Sequence, residues 1–299
     1  MENKSMIGHI AALITIVIWG TTFISTKILL VDFQPVEILF IRFIMGFLAL
    51  FLVCPRRLRG TDLKQEFTLA GAGLCGICLY YLLENIALTY TLAQNVGVII
   101  SVAPFFTAIL SRVFIRHEEK LRVNFFIGFV VAMAGICLIS FNGAEMALNP
   151  VGDLLAVLAA FVWAVYSILT KKIAEFGYST ILTTRRIFFY GLLFMLPPLF
   201  FFDFRFVPER FSHPVYLMNM IYLGLGASAL CFVTWNFAVK MLGAVKTSVY
   251  IYMVPVITVI TSALILGERI TWLSGGGTLL TLVGLFISEK KFREKRNPS

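Results

Sequence analysis

The chain alternates long apolar runs with short polar punctuation, and it does so ten times. The runs cover Ile7–Leu30, Pro35–Val53, Phe67–Leu88, Val96–Ile115, Phe125–Phe141, Val151–Thr170, Ile181–Phe202, Val215–Val239, Val245–Leu266 and Thr271–Ser288. A helix needs about 20 mostly apolar residues, within a range of roughly 17–25, to reach across the hydrocarbon core of a bilayer. All ten runs fall in that range, so the pattern predicts ten transmembrane helices. The connections are short, so successive helices are expected to pack antiparallel. No polar stretch is long enough to form a soluble domain. The first run is too long for the apolar region of a signal peptide and is not followed by a small-residue cleavage site, so it reads as a retained helix.

Composition sharpens this picture. Hydrophobic residues make up 59% of the chain, charged residues 14%, and the mean hydropathy is +0.90. A soluble domain carries roughly 25% charged residues, so lipid is the fitting solvent. The net charge of +9 raises the question of a nucleic-acid partner, and its distribution answers it. With both termini in the cytoplasm, eighteen lysines and arginines fall on the cytoplasmic side, among them Arg56, Arg57, Arg59, Arg116, Lys120, Lys172, Lys240 and the tail from Lys290 to Arg296. Only Arg205, Arg210 and Arg269 fall on the opposite side. This is the positive-inside asymmetry. It predicts a multi-pass inner or plasma membrane protein whose basic side attracts anionic lipid, with no nucleic acid involved.

The chain also repeats itself. Trp19-Gly20 through Lys27 lines up with Trp163-Ala164 through Lys171 at an offset of 144, which also brings Gly8 onto Gly152 and Arg42 onto Arg186. Further along the offset becomes 151, pairing Asn85 with Asn236, Ala87 with Ala238 and Pro104 with Pro255. Glu119 then meets Glu268. The expected fold class is therefore an all-α polytopic membrane protein in two five-helix units, residues 1–146 and 147–299. Five is odd, so the units face opposite ways. Such inverted repeats surround a central cavity in secondary transporters and rock about it.

These residues resemble the drug/metabolite transporter superfamily, in its EamA-like branch of bacterial ten-helix carriers. The resemblance rests on Trp19-Gly20 followed by Lys27, on Arg42, Pro104, Gly152-Asp153 and Trp163, on Pro255, on Gly267-Glu268-Arg269, and on the glycines at Gly275–Gly277. It spans nearly the whole chain. It implies cytoplasmic termini and transport of a small molecule, in a branch that exports amino acids and many other metabolites.

Positions matched between the units are expected to serve the frame. Arg42 and Arg186 read as structural or gating ion-pair residues, and Lys27 and Lys171 as anchors ending their helices. Pro104 and Pro255 remove a backbone donor within a span and read as hinges or cavity lining. Unmatched polar positions are expected to face the substrate, which lacks the protein's pseudo-symmetry. Glu84 stands where the other unit has Trp235, and an ionisable residue inside a span is a functional candidate by default. It would pair with a substrate ammonium or take up a proton during the cycle; a fixed ion pair with Arg42 is the competing reading. Tyr80 and Tyr81 precede it by one helical turn. With Trp19, Thr22, Trp163, Tyr166, Trp235, Tyr250 and Tyr252 they would form an aromatic cage suited to a cationic group on an apolar body. Asn85 and Asn236 either cross-link helices or reach the cavity.

The leading functional expectation is a secondary exporter of an amino acid or related amine, working by alternating access and coupled to protons. Export of cationic drugs or polyamines is the alternative. A passive pore and an intramembrane enzyme are weaker readings. His9, His117 and His213 share no spacing that would build a catalytic site. Cys75 and Cys78 share a helical face with no further ligand and read as packing. No nucleotide-binding loop, cofactor or metal site is evident, and the pattern does not settle the oligomeric state.

Overall fold

The computed structural model describes residues 2–90, 93–115, 123–140, 149–202, 204–266 and 272–289. Ten helical rods and no strand are found among these residues. They are α1 (Glu2–Leu29), α2 (Pro35–Val53), α3 (Leu63–Tyr90), α4 (residues 93–114), α5 (Val123–Ser140), α6 (Pro150–Glu175), α7 (Thr180–Phe201), α8 (Pro214–Leu242), α9 (residues 244–266) and α10 (Trp272–Glu289). Glu119, Gly267-Glu268-Arg269 and the basic residues at 116, 120, 122 and 290–296 lie outside the described residues.

Local chemistry places the helix ends. Pro35 opens α2, and Gln34 and Glu37 exchange bonds across its first turn as a capping box, so the first turn's free N–H groups find partners. Asp62 accepts the Gln65 N–H at 2.7 Å. That cap starts α3 four residues before the apolar run begins. Asn149 caps α6 ahead of Pro150. The helix runs to Glu175, so Lys171 does not end it as expected but sits inside its last turns. Gly243, at φ 91°, is the whole linker between α8 and α9; a side chain would strain a residue held at that angle.

Five rods are long and apolar enough to cross a bilayer by length and composition: Ser5–Leu29, Pro35–Val53, Leu63–Tyr90, Pro150–Glu175 and Pro214–Leu242. Outward-facing side chains on the rods are apolar, as at Ile10, Leu13, Ile14 and Val17 on α1 and Phe200 and Phe201 on α7. A soluble monomer rarely exposes contiguous apolar surface on this scale.

Two irregularities go beyond the expected continuous spans. The middle of α3 at Leu74–Leu79 and of α8 at Tyr222–Leu230 is π-helical. The 151-residue offset carries the first stretch onto the end of the second. In place of simple kinks, α4 is interrupted at Ser101-Val102 ahead of Pro104. Correspondingly, α9 tightens to a 3-10 turn at Tyr250–Tyr252 ahead of Pro255. Helices α5 and α10 pack backbone to backbone. A Cβ on Gly128 would stand 2.5 Å from the Gly284 carbonyl oxygen, and one on Gly135 2.5 Å from that of Gly277.

The main core draws on α1, α2, α3, α4, α6, α7, α8 and α9. Contacts sort the bundle into two ends. On the side where the chain begins, the N side, His9 Nδ1 lies 2.6 Å from the Tyr250 hydroxyl and Tyr178 donates to the Gly60 carbonyl. On the far side, Arg210 pairs with Glu37 at 2.8 Å and Phe33 packs on Phe211.

Candidate functional site

A cavity of about 510 Å³, open space at its mouth included, lies between α1, α3, α4, α6 and α9. Trp19, Thr22, Tyr80, Tyr81, Glu84 and Trp163 from the sequence reading all line it. Helical spacing explains the grouping: Tyr80, Tyr81 and Glu84 lie within one turn of α3, and Trp19 and Thr22 within one turn of α1.

The rings form a contiguous set, edge to face at Trp19–Trp163 and Tyr80–Tyr81 and tilted at Trp163–Tyr80. Trp19 and Trp163 are 5.2 Å apart, Trp163 and Tyr80 4.7 Å, and Tyr80 and Tyr81 4.8 Å between centroids. Glu84 is only 7% exposed, and its Oε2 is buried without a hydrogen-bond partner. Behind Tyr81 lies Arg42, 2% exposed, its guanidinium 4.6 Å from the Tyr81 ring centre. Its Nε donates to Ser228 Oγ at 2.9 Å, while its Nη2 is buried with no partner. The fixed Arg42–Glu84 ion pair is not formed: no contact within 4.0 Å joins them. Arg42 is nonetheless near enough for its charge to bear on the carboxylate. The interior thus holds a carboxyl group and a guanidinium, each with an unused hydrogen-bonding atom, with the Tyr81 ring against the guanidinium. A buried charge without such a partner is costly, so this arrangement is ready to receive complementary groups.

Other candidates stand elsewhere. Asn85 Nδ2 donates to the Pro35 carbonyl at 3.4 Å and ties α3 to the start of α2. The Tyr166 hydroxyl donates to Asn236 Oδ1 at 2.8 Å, and Asn236 Nδ2 reaches Thr184 at 3.0 Å. Trp235 is buried behind Trp19, 5.1 Å from it. Tyr250 joins His9 at the N side. Tyr252 is buried in a separate cluster with Ala108 and Phe125. Pro104 and Pro255 follow the helix breaks, whose residues Ser101 and Ile251 line the cavity. Arg186 sits at the N-side rim and pairs with Glu66 at 3.2 Å.

The matched indoles differ in bonding. Trp19 Nε1 donates at 3.0 Å to the carbonyl of Ala227, in the π turn of α8, whereas Trp163 Nε1 is buried without a partner. Sequence reasoning missed Phe43 and Phe232. Phe232 is fully buried and lies 5.6 Å from Phe43, 5.8 Å from Trp19 and 6.1 Å from Tyr81. The available signal was spacing, since Ser228, Phe232 and Trp235 share one face of α8.

A bundle of membrane-crossing helices with ionisable groups around an aromatic interior cavity is the architecture of a small-molecule carrier. The chain belongs to the EamA-like transporter family, which matches it over residues 6–141 and again over 150–289, placing it in the drug/metabolite transporter superfamily. Several relatives named as transporters match nearly the whole chain. A protein of Archaeoglobus fulgidus named "uncharacterized transporter" is 27% identical over 97% of this chain and 99% of its own. The uncharacterized transporter YdfC of Bacillus subtilis is 25% identical over 95% and 92%. A "probable terminal-alkyne amino-acid exporter" of Streptantibioticus cattleyicolor is 25% identical over 96% and 94%. A crystal structure 19% identical in sequence superposes with a TM-score of 0.76 over 96% of this chain and 98% of that one, so the two share a fold. The protein is a multi-pass membrane transporter for a small molecule.

Proposed function

We propose that this carrier exports a small zwitterion, an amino acid or close relative, by alternating access. The observation that carries the reading is the pair of buried, incompletely satisfied charges, Glu84 in the cavity and Arg42 behind Tyr81. An α-ammonium meets the Glu84 carboxylate and the faces of Tyr80 and Trp163, where cation–π attraction adds to the ion contact. A carboxylate meets Arg42 once the Tyr81 ring turns aside, and the apolar body rests among the indoles. A polycation fits less well, because Arg42 opposes a second positive group. Between substrates Glu84 takes up a proton, which couples export to the proton gradient. The name of the Streptantibioticus relative supports amino-acid export.

Two units, residues 1–146 and 147–299, facing opposite ways are the proposed moving parts. Support comes from the π turns and helix breaks at offset-related positions. The reciprocal contacts of Gly128 with Gly284 and Gly135 with Gly277 are those a two-fold axis in the membrane plane generates. The basic bias supports a cytoplasmic N side.

The test is flux from liposomes with the parent and Glu84→Gln. Substrates are matched sets: an amino acid, its decarboxylated amine and its N-acetyl derivative. Removing one partner of a buried charge pair costs about 2–5 kcal/mol, so flux of the intact amino acid should fall about 30-fold or more, and the remainder should lose its pH dependence. Parent-level, pH-dependent flux in Glu84→Gln, or equal transport of all three substrates by the parent, would overturn the reading.

A further inference from the structure

Away from the central cavity, the N-side rim holds a second recess between the end of α2 and the start of α7. It encloses about 800 Å³, open space included. Three arginines converge on it, Arg57, Arg185 and Arg186, and phenylalanines Phe47, Phe51 and Phe189 line the same recess.

The arginines are not equivalent. Both terminal nitrogens of Arg185 donate to backbone carbonyls, those of Cys54 and Arg56. That grip fixes the connection after α2 and holds the Arg185 charge in place over the Phe51 ring, 5.3 Å from its centre. Arg186 spends its Nη2 on Glu66, but its Nε is buried and has no partner. Arg57 is exposed and makes no hydrogen bond among the described residues. Against three guanidiniums the recess is balanced by one neighbouring carboxylate, Glu66, which also accepts from Thr61 and Tyr190. Excess positive charge and free N–H donors remain, the chemistry that binds a phosphate oxyanion.

The apolar wall decides what carries the phosphate. Phe51, in the last turn of α2, is 46% exposed, and Phe189, more than two turns into α7, is 44% exposed. They continue the recess from the level of the polar connection down the lipid-facing flank of α2 and α7. A free phosphate ion has no use for that wall. A molecule with an anionic phosphodiester head and acyl chains fills both parts.

We propose that this recess binds one anionic phospholipid, its phosphodiester held by Arg57 and the Nε of Arg186 and its chains laid along Phe51 and Phe189. The lipid then bridges α2 to α7. This reading is independent of what the central cavity carries.

The test uses the purified full-length protein in detergent, titrated with phosphatidylglycerol, with phosphatidylcholine of the same chains, and with inorganic phosphate. Retained adducts are counted by native mass spectrometry. One phosphatidylglycerol should persist at collision energies that strip phosphatidylcholine, and inorganic phosphate should leave no adduct. Each basic residue near an anionic headgroup contributes about 1 kcal/mol, so Arg57→Gln with Arg186→Gln should weaken retention about 30-fold. Thermal melting of that variant without lipid, close to the parent's, keeps misfolding from mimicking the result. A Phe51→Ser variant, folded by the same criterion, should lose long-chain phosphatidylglycerol as well. Equal retention of the two lipids, undiminished binding in the folded double-arginine variant, or retention of phosphate alone would overturn the proposal.

Discussion

Arg42 and Arg186 occupy corresponding places in the two halves of the sequence, yet their surroundings are opposite. Arg186 stands at the rim with its side chain 34% exposed and a carboxylate, Glu66, at 3.2 Å. Arg42 lies at 2% exposure between aromatic rings, bonded to Ser228 and lacking a counter-ion within ion-pair distance. A half-buried pair with a partner and access to water contributes little. A desolvated guanidinium without a carboxylate is costly, and a fold with no use for the charge would be at least as stable with a hydrocarbon in its place. The difference separates an arginine whose charge a carboxylate of the protein answers from one whose charge waits for a partner.

The sharpest way to break that comparison is Arg42→Met, which keeps an unbranched apolar side chain and removes the charge. Transport of a zwitterion should fall about 30-fold or more, since the buried partner of its carboxylate is gone. Thermal stability should hold or rise, because replacing buried ions with well-packed apolar groups is often neutral or favourable. Flux assays and melting curves on the same preparation read both. A variant that melts several degrees lower would make Arg42 a structural element and undo the contrast.

A smaller effect is expected at Ser228, whose hydroxyl accepts from Arg42 Nε at 2.9 Å. Ser228→Ala leaves the charge in place but frees the plane of the guanidinium. A hydrogen bond to a charged group contributes about 1.5–3 kcal/mol. The apparent KM should therefore rise roughly tenfold while the maximal rate stays close to the parent's. A loss confined to the maximal rate would mean that Ser228 serves the conformational cycle instead of aiming Arg42.

How much of this was readable before the fold is itself informative. The ten apolar runs are legible because a spanning helix has a fixed length and few charges. Glu84 is legible because carboxylates within such runs are rare, and Tyr80 and Tyr81 follow from helical spacing. Trp19 and Trp163 follow from the repeat. The unpaired state of Arg42 is not legible, since it depends on which ring and hydroxyl α3 and α8 bring to it. Glu66 precedes the apolar run at Phe67 and reads as part of a connection, so its pairing with Arg186 is hidden. Phe43 and Phe232 are lost among 29 phenylalanines. The π turns leave no local mark, because Leu74–Leu79 reads as any apolar helix. Tyr166, Trp235, Tyr250 and Tyr252 stand out as unmatched aromatic positions and Asn236 as a matched polar one, but periodicity alone does not say whether a side chain faces a cavity or a neighbouring helix.

The smallest effect belongs to the rim. Arg186→Met removes an ion pair that water already screens, so the direct loss is about 1 kcal/mol or less. Glu66 keeps its bonds from Thr61 and Tyr190, so its carboxylate is not stranded. Zwitterion flux should stay within about twofold of the parent, a change below the roughly 0.4 kcal/mol that binding or transport assays separate easily. The two arginines share no bonded partner among the described residues, so their stability effects should add in the double variant Arg42→Met, Arg186→Met. Melting temperatures of parent, singles and double close that cycle. A large non-additive term would mean that the rim and the cavity move together. In that case Arg186 would be part of the transport cycle, and the division between a holding arginine and a waiting one would fail.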